Sequence, residues 1–509
     1  MTVIQKNLLA NTLSYAYAPS IAFACFPLYV KAMGMEACGL VGFFTILYSL
    51  FAPLGAGLST SLNRELARLS VAPDAARDMR DLLRTLEVVY WLLGLVIGAA
   101  IVLASPLIAR DWVQPERLTV EAVSRAVLLM GITLIFQWPY SLYAAGLNGL
   151  QRQVRLSVIN ILMVTVRFVG VLPVLWLTEP SVESFFIWQA ASGAVHTILL
   201  AAILWRCLPA AVHPSAFRRQ WLRTVRGFVA GVTGISLAAL VLTQLDKVIL
   251  SRMLTLETFG YYTAVTMVAM GLYVIIGPVS TALSPRFAQL VGLQDKEGLK
   301  DLYHGGCQLM HVLLFAAALV GALFSREILL AWMGDPVQAD QWQVVLSLLV
   351  VGTALNGMVA VPYALQLAYA WTNLTFYMTV IAAVALAPLI MILTVRYGPV
   401  GAAIAWVVVE SFYVLVGVQL THRRLMRGEF GRWYVHDVAL PLAAAGAVAV
   451  VAKALMPADL SRPMLALALI AVGLATLLAA AMAASRIRPI ALALVLGKRP
   501  AAADETAAP

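Results

Sequence analysis

The chain has 509 residues, of which 62% are hydrophobic and only 12% are charged, and its mean hydropathy is +0.88. A soluble domain carries about a quarter charged residues, so this composition excludes an ordinary soluble protein and indicates a chain embedded in a lipid bilayer. The net charge of +10 does not indicate nucleic-acid binding, because basic residues of a polytopic protein gather in its cytoplasmic loops. Four scattered cysteines without CxxC spacing predict neither a zinc site nor a disulfide framework, and no cofactor is expected.

Apolar runs long enough to cross a bilayer follow one another along the chain. A backbone in hydrocarbon must satisfy its own hydrogen bonds, and the period-two pattern of a barrel is absent, so the spans are predicted to be helices. At about 20 residues per span, we predict an all-α polytopic membrane protein with about fourteen transmembrane helices. The predicted spans are 9–32, 37–61, 85–109, 121–147, 155–178, 182–206, 227–254, 261–284, 305–333, 340–370, 372–396, 398–422, 438–456 and 463–484. The first run has no clear cleavage site and is expected to stay as a helix.

The basic residues are distributed unevenly between alternate connections. With the N-terminus inside, about 24 of the 35 basic residues lie in cytoplasmic loops and about nine lie on the opposite side. Both termini are therefore predicted to lie in the cytoplasm, which an even number of helices allows.

An internal repeat relates residues 26–69 to a second stretch about 221 positions downstream. In this ungapped register Glu36 aligns with Glu257 and Gly39 aligns with Gly260. Six spans separate the copies, so the halves have the same orientation and predict two parallel six-helix lobes followed by two C-terminal helices. The predicted domains are the lobes 1–206 and 227–422, a basic cytoplasmic linker 207–226, two extra transmembrane helices in 437–486 and a cytoplasmic tail 487–509.

Few ionisable residues lie at membrane depth, and they are candidate functional residues because a charge in lipid is costly. Arg167 lies roughly 18 Å along its helix from the basic residue Arg155, which places it near the middle of the bilayer. Either it faces a cavity or it is held by a structural partner. The pair Asp246-Lys247 lies near the outer end of helix 7, and at least one of the two should face a polar lumen or another helix. Glu410, in helix 12, either takes part in a proton-coupled step or is neutralised within its lobe.

Two further pairs occupy related places in the two halves. Arg64 and Arg286 lie at the cytoplasmic ends of helices 2 and 8, where they either mark topology or attract an anionic headgroup. Pro139 and Pro362 are predicted to interrupt helices 4 and 10, either as hinges or as bends required by packing. A lone histidine in a span, His196, is expected to be a hydrogen-bonded core residue.

Several stretches resemble bacterial polysaccharide flippases (O-antigen and exopolysaccharide) of the multidrug/oligosaccharidyl-lipid/polysaccharide exporter superfamily. They are LYVKAMGMEACGLVGFF at 28–44, GLSTSLNRELARL at 57–69, GLNGLQRQVRLSVIN at 146–160, LDKVILSRMLTLETFGYYTAV at 245–265 and STALSPRFAQL at 280–290, together with 361–392 and 397–410. The resemblance covers helices 1 to 12. The first helix lacks the Arg-Asp pair of the related lipid II flippases.

This resemblance implies an inner-membrane flippase for a lipid-pyrophosphate-linked oligosaccharide, with two lobes that open alternately to the two sides. Cations would hold the pyrophosphate, and Arg167 and Lys247 are expected to face the substrate, with Arg64 or Arg286 as further suppliers of positive charge. The partners implied are the lipid-linked glycan, the bilayer and polysaccharide polymerase or assembly proteins, without nucleic acid.

Two other functions compete with the flippase. The first is a cation-coupled multidrug antiporter of the same superfamily, which usually carries an acid in an N-lobe helix. Helices 1 to 6 have no mid-membrane acid here and carry Arg167 in its place, which favours an anionic substrate. The second is a membrane-embedded glycan polymerase or ligase. The short outer connections and the lack of paired loop carboxylates or a P-loop argue against an enzyme.

Overall fold

The computed structural model describes residues 3–177, 180–211, 213–457 and 459–496, and it describes side chains from residue 17 onward except at 238, 239, 241–243, 494 and 495. Over these residues the secondary structure is helical, and β pairing is limited to an isolated bridge between Gln114 and Thr255. The prediction of an all-α polytopic protein is confirmed. Of the predicted tail 487–509, residues 497–509 lie outside the described residues.

The chain divides into two compact units, Met1–Thr263 and Ala264–Pro509. The first unit holds nine complete helices within its described residues, and a tenth crosses its boundary. They are α1 Val3–Met33, α2 Met35–Leu69, α3 Ala76–Leu107, α4 Val120–Gln137, α5 Tyr140–Gly149, α6 Gln153–Phe168, α7 Val171–Leu177, α8 Val182–Cys207, α9 Arg219–Met253 and α10 Leu256–Met270. A π-helical stretch, Ile108–Trp112, continues α3.

The helices of the first unit pack in two groups. The long helix α2 packs against α3, α5 and α9, and α3 continues the core through α4 to α8. On the other side of the unit, α1 packs along α6, and α6 in turn contacts α8. The buried residues of this unit are mostly leucine, valine, isoleucine and aromatic side chains, so the helices interlock by apolar packing.

The second unit contains the remaining helices. They are α11 Tyr273–Gly292, α12 Lys296–Leu323, α13 Ser325–Met333, α14 Pro336–Ala368, α15 Asn373–Tyr397, α16 Pro399–Phe412, α17 Gln419–Leu425, α18 Phe430–Arg432, α19 Leu440–Leu455, α20 Arg462–Ala483 and α21 Arg488–Val495. The π-helical stretches Tyr413–Val418 and Trp433–Ala439 follow α16 and α18. In this unit α14 packs against α11, α12 and α16, while α12 also packs against the last long helices, α19 and α20.

Twelve helical segments of the described residues are long and apolar enough to cross a membrane. They coincide with twelve of the fourteen predicted spans, from Met35–Leu69 to Arg462–Ala483. The other two predicted spans lie in the continuous helices α1 and α9, each of which includes side chains outside the described set. The chain is therefore a multi-pass membrane protein.

The helix starts are set by capping side chains that accept a hydrogen bond from the first exposed backbone amides. Thr119 caps α4, Ser181 caps α8 and Asp295 caps α12. Asp335 accepts from the amides of Val337 and Gln338 at 3.0 and 3.3 Å and caps α14. These four caps fix where the following helices begin.

Several boundaries differ from the sequence prediction, and two of the differences change how the chain is divided. The span predicted as 305–333 is two helices, because the chain leaves the helical conformation at Phe324 and restarts at Ser325. Residues 219–226 of the predicted linker are helical and form the first two turns of α9. The segment before them is held by Asp81, which accepts from the amide of Ala216 at 2.8 Å and lies 2.5 Å from the Arg218 guanidinium.

Candidate anion-binding site

Arg167 lies in the last turn of α6, and two tyrosines of α1 hold that turn. The hydroxyl of Tyr17 lies 2.7 Å from Oγ1 of Thr165, and the hydroxyl of Tyr29 donates to the carbonyl of Phe168 at 2.5 Å. Because Thr165, two residues before Arg167, and Phe168, directly after it, are tied to α1, the guanidinium projects from an anchored turn.

The surroundings of Arg167 are aromatic and polar. Tyr48 of α2, Tyr140 of α5 and His196 of α8 lie close enough to interact electrostatically with its half-buried guanidinium. Nε of Arg167 is buried without a hydrogen-bond partner, and no acidic side chain of the described residues pairs with it. Among the described residues, the site therefore has a net positive charge that no acidic neighbour neutralises.

His196 orients one wall of this site. Its Nε2 lies 3.2 Å from Oδ1 of Asn160, and its ring packs on that of Tyr140 with centroids 4.8 Å apart. This is the hydrogen-bonded environment expected for it. These contacts fix the ring beside Arg167, and Nδ1 has no hydrogen-bond partner among the residues that the structure describes.

A cavity of about 170 Å³ adjoins this group inside the first unit. Its lining is partly polar, and it shares Tyr48 with the surroundings of Arg167. The lining residues are Tyr48, Ala52, Ala56, Ser59, Tyr90, Trp138 and Ser141. The hydroxyls of Tyr90 and Ser141 lie 2.5 Å apart, so one donates to the other. A guanidinium beside hydroxyl groups is suited to bind phosphate oxygens, which accept several charge-assisted hydrogen bonds.

The other predicted cations have different surroundings. Arg64 lies 2.6 Å from Glu65 and stacks over Phe228 at 4.3 Å, so its charge is already paired. Arg286 is exposed and donates to the side chain of Gln289. Lys247 is half-buried on α9 and interacts electrostatically with the adjacent Asp246.

Glu410 belongs to the second unit, in α16. Its side chain is 3% exposed, and Nδ2 of Asn356 donates to its Oε2 at 3.1 Å. The hydroxyl of Tyr273 in turn donates to Oδ1 of Asn356 at 3.0 Å. The described partner of Glu410 is thus a neutral amide of its own unit, and its role in coupling stays a prediction.

The two prolines predicted as matched interruptions differ. Pro139 lies in a turn between α4 and α5, so the predicted break is present there. At Pro362 the helix α14 continues without a break and buries the proline ring, so an interruption at this position was wrong. A proline lacks a backbone N–H and so removes one hydrogen bond of its helix. The helices packed around α14 keep its other backbone hydrogen bonds in place. A hinge role for either residue stays a prediction.

A loop between α3 and α4 makes contacts that the sequence prediction missed. The carboxylate of Glu36, 5% exposed, accepts from the amides of Glu116 at 2.6 Å, Arg117 at 3.0 Å and Leu118 at 3.1 Å. The Arg117 guanidinium lies 3.5 Å from Glu257. In the sequence, only the repeat register, which aligns Glu36 with Glu257, pointed to these two glutamates. That register does not show that both of them contact one loop.

The glycines aligned by the repeat lie at the same helix crossing in the first unit. A Cβ on Gly39 would lie 2.2 Å from the carbonyl oxygen of Leu256, and one on Gly260 would lie 2.6 Å from that of Met35. Only glycine permits this approach of α2 and α10.

A second buried polar group joins α12 to the segment before α19. His304 lies between two carboxylates, with Nδ1 2.5 Å from Asp437 and Nε2 3.2 Å from Glu429. Gln308 donates to Asp437 at 2.9 Å, and Lys300 lies 3.4 Å from Glu429. Burial raises the pKa of Glu429, but the hydrogen bonds from Lys300 and His304 outweigh it and hold that pKa below its ordinary value. No cluster of the described residues has the donors to hold a metal ion.

Comparison with known proteins gives one family and one fold. A family model described as polysaccharide biosynthesis protein matches residues 4–291, more than half of the chain. A curated relative, the putative O-antigen transporter of Shigella flexneri, is 24% identical over 166 residues, which are 33% of this chain and 39% of that protein. The chain thus spans about two fifths of the length of this relative.

Two solved structures share the fold. The lipid II flippase MurJ in an inward closed conformation has a TM-score of 0.71 at 12% identity, covering 93% of this chain and 98% of that one. An inward-facing multidrug resistance transporter of the MATE family, in the MOP superfamily, has a TM-score of 0.65 at 15% identity, covering 84% and 100%. At these identities the likeness shows the fold alone.

Proposed function

Because the chain belongs to the polysaccharide biosynthesis protein family, we propose that it is a transporter that flips a lipid-pyrophosphate-linked oligosaccharide across the inner membrane. A curated relative named as an O-antigen transporter and a lipid II flippase of the same fold support this proposal. The chain moves its substrate and does not modify it. The repeats 1–206 and 227–422 would provide two lobes that give alternate access to the site.

The unneutralised guanidinium of Arg167 carries the proposal. A pyrophosphate brings negative charge into a membrane, where it needs a cation to replace its water. An arginine can present two parallel N–H donors to phosphate oxygens, and the neighbouring Tyr48 and Tyr140 hydroxyls add neutral donors. Lys247, Arg64 and Arg286 are the further cations that we assign to the substrate path.

The same site weighs against the antiporter, which shares the fold. A cationic drug would meet the charge of Arg167 at membrane depth, where a like charge is poorly screened. An acid in the second unit, Glu410, is the group that we assign to coupling with a proton gradient.

We propose an inner-membrane location with both termini in the cytoplasm, from the excess of basic residues in alternate loops. In this orientation, the ends of α2 and α11 that carry Arg64 and Arg286 would lie on the side where the lipid-linked glycan is assembled. Polysaccharide polymerase or assembly proteins are the protein partners of this proposal.

The experiment uses the full chain in proteoliposomes and follows flipping of a fluorescent polyprenyl-pyrophosphoryl sugar. Arg167→Gln should lower the rate by about 30-fold or more, because it removes a charge-assisted pair worth about 2 kcal/mol. Arg152→Gln, a change at an exposed arginine, should keep the wild-type rate. Equal protein recovery and equal melting temperature separate a binding effect from misfolding.

An unchanged rate in Arg167→Gln would remove the observation that carries the proposal. If neither the variant nor the wild type flips the pyrophosphate lipid, and the wild type exchanges a small organic cation instead, the protein is an antiporter.

A further inference from the structure

A second cavity lies away from Arg167. It is an open groove of the first unit between the start of α6 and the end of α8. Its volume is about 470 Å³, within the range of about 300–1,000 Å³ that small-molecule sites occupy. Apolar side chains form its walls, and two arginines and a cysteine form its rim. The lining residues are Val154, Arg155, Val158, Ile159, Ile203, Arg206 and Cys207.

The arginines of this groove differ from other arginines nearby in that they lack an acidic partner among the described residues. At the same end of the unit, Arg68 lies 2.8 Å from Glu65, Arg84 lies 3.0 Å from Glu87 and Arg218 lies 2.5 Å from Asp81. Arg155 and Arg206, in contrast, form no ion pair with any described residue. Nη1 of Arg155 has the sulfur of Cys207 as its neighbour, at 3.7 Å. Two cations thus share one opening in which no acidic side chain of the described residues pairs with them.

The walls extend from this cationic rim along the membrane-facing surface. Val154 and Val158 are 42% and 52% exposed, and they lie one turn apart on α6. The groove belongs to the helix ends that the charge distribution predicts at the cytoplasmic surface. An occupant must therefore combine an anionic head with a hydrocarbon chain, and basic pockets between transmembrane helices at this surface bind lipid headgroups.

We propose that this groove is a binding site for an anionic glycerophospholipid of the inner leaflet. The phosphate would lie between Arg155 and Arg206, and one acyl chain would follow Val154, Val158 and Ile203. The site is separate from the cavity beside Tyr48, and the proposal requires that the chain spans a membrane with these helix ends at the cytoplasmic surface. It stands even if the transported substrate is a different one.

Cys207 provides a native reporter, because it is half-buried at the rim while Cys25, Cys38 and Cys307 are buried. The full chain is reconstituted in vesicles of phosphatidylcholine and in vesicles with a rising fraction of phosphatidylglycerol. The rate of reaction with uncharged N-ethylmaleimide is then measured at Cys207. Bound phosphatidylglycerol should cover the thiol and slow the reaction.

Removing the two charges tests the headgroup contact. In Arg155→Gln/Arg206→Gln, the phosphatidylglycerol fraction that halves the labelling rate should rise about 25-fold, from a roughly fivefold loss per arginine. The matched double variant Arg152→Gln/Arg223→Gln removes the same charge from exposed positions that do not line the groove, and it should keep wild-type protection.

Filling the groove tests the acyl-chain contact. Val158→Trp keeps both arginines, and its labelling rate should no longer depend on phosphatidylglycerol. Equal protection in both double variants would show a general effect of surface charge and would overturn the proposal, as would wild-type labelling that ignores phosphatidylglycerol. Protection by inorganic phosphate alone would assign the arginines to a soluble anion and would also overturn it.

Discussion

The carboxylate of Glu36 anchors the loop between α3 and α4 through three backbone amides, and the local effect of its loss can be calculated. In Glu36→Gln one carboxylate oxygen becomes an NH₂ group, so at least one of the amides of residues 116–118 faces a donor in place of an acceptor. A hydrogen bond to a charged group contributes about 1.5–3 kcal/mol. We expect a loss of about 2 kcal/mol.

Hydrogen exchange measures this loss where it occurs. A loss of about 2 kcal/mol should accelerate exchange of the amides at 116–118 by about 30-fold, while peptides from the second unit keep their rates. Glu257→Gln is the matched control at the equivalent repeat position. It removes only the pair with Arg117, whose side chain is 80% exposed, and should cost less than about 0.5 kcal/mol.

Two outcomes would refute this reasoning about Glu36. Unchanged exchange at 116–118 would mean that the carboxylate does not hold the loop. Equal acceleration in Glu36→Gln and Glu257→Gln would mean that the exposed ion pair, not the buried hydrogen bonds, determines the local stability.

Three further predictions have defined outcomes. Gly39→Ala places a methyl group against a backbone carbonyl and should destabilise the protein by about 2 kcal/mol or more, whereas Gly446→Ala, with open space around it, should be neutral or stabilising in thermal unfolding. Glu429 has a lower pKa when folded, so its stabilisation is present at neutral pH and is lost as pH falls below about 4.3; thermal scans of Glu429→Gln should lack that part of the acid dependence. Glu410→Gln should weaken transport driven by an imposed proton gradient, and an unchanged response would exclude Glu410 from coupling.

The positions of the helices could be predicted from the sequence because a helix that spans a bilayer must be apolar along its length. Runs of about 20 apolar residues mark the spans, and the predicted spans 182–206 and 372–396 agree with Val182–Cys207 and Asn373–Tyr397 to within one residue. Hydropathy fails where the chain turns without becoming polar. Phe324, between α12 and α13, is apolar and fully buried, so nothing in its composition marks the helix end there.

The candidate site could be predicted only in part. Arg167 stands out in the sequence because an uncompensated charge in lipid is costly. Its neighbours Tyr48 and Tyr140 depend on how α2, α5 and α6 rotate against each other, and the pattern of one helix does not determine that rotation. The partners of Glu36 are backbone amides, which every residue possesses, so no residue type identifies them in advance.

The central claim is the transport of a lipid-linked glycan. The most direct test is to measure on which face of the membrane the glycan is exposed. Cells depleted of this protein are converted to oriented inner-membrane vesicles, and access of a lectin or glycosidase to the assembled unit is measured on each face. The proposed function predicts that the unit accumulates on the cytoplasmic face and that wild-type protein, but not Arg167→Gln, restores it to the other face. Normal sidedness in depleted cells, together with altered efflux of small organic cations, would contradict it.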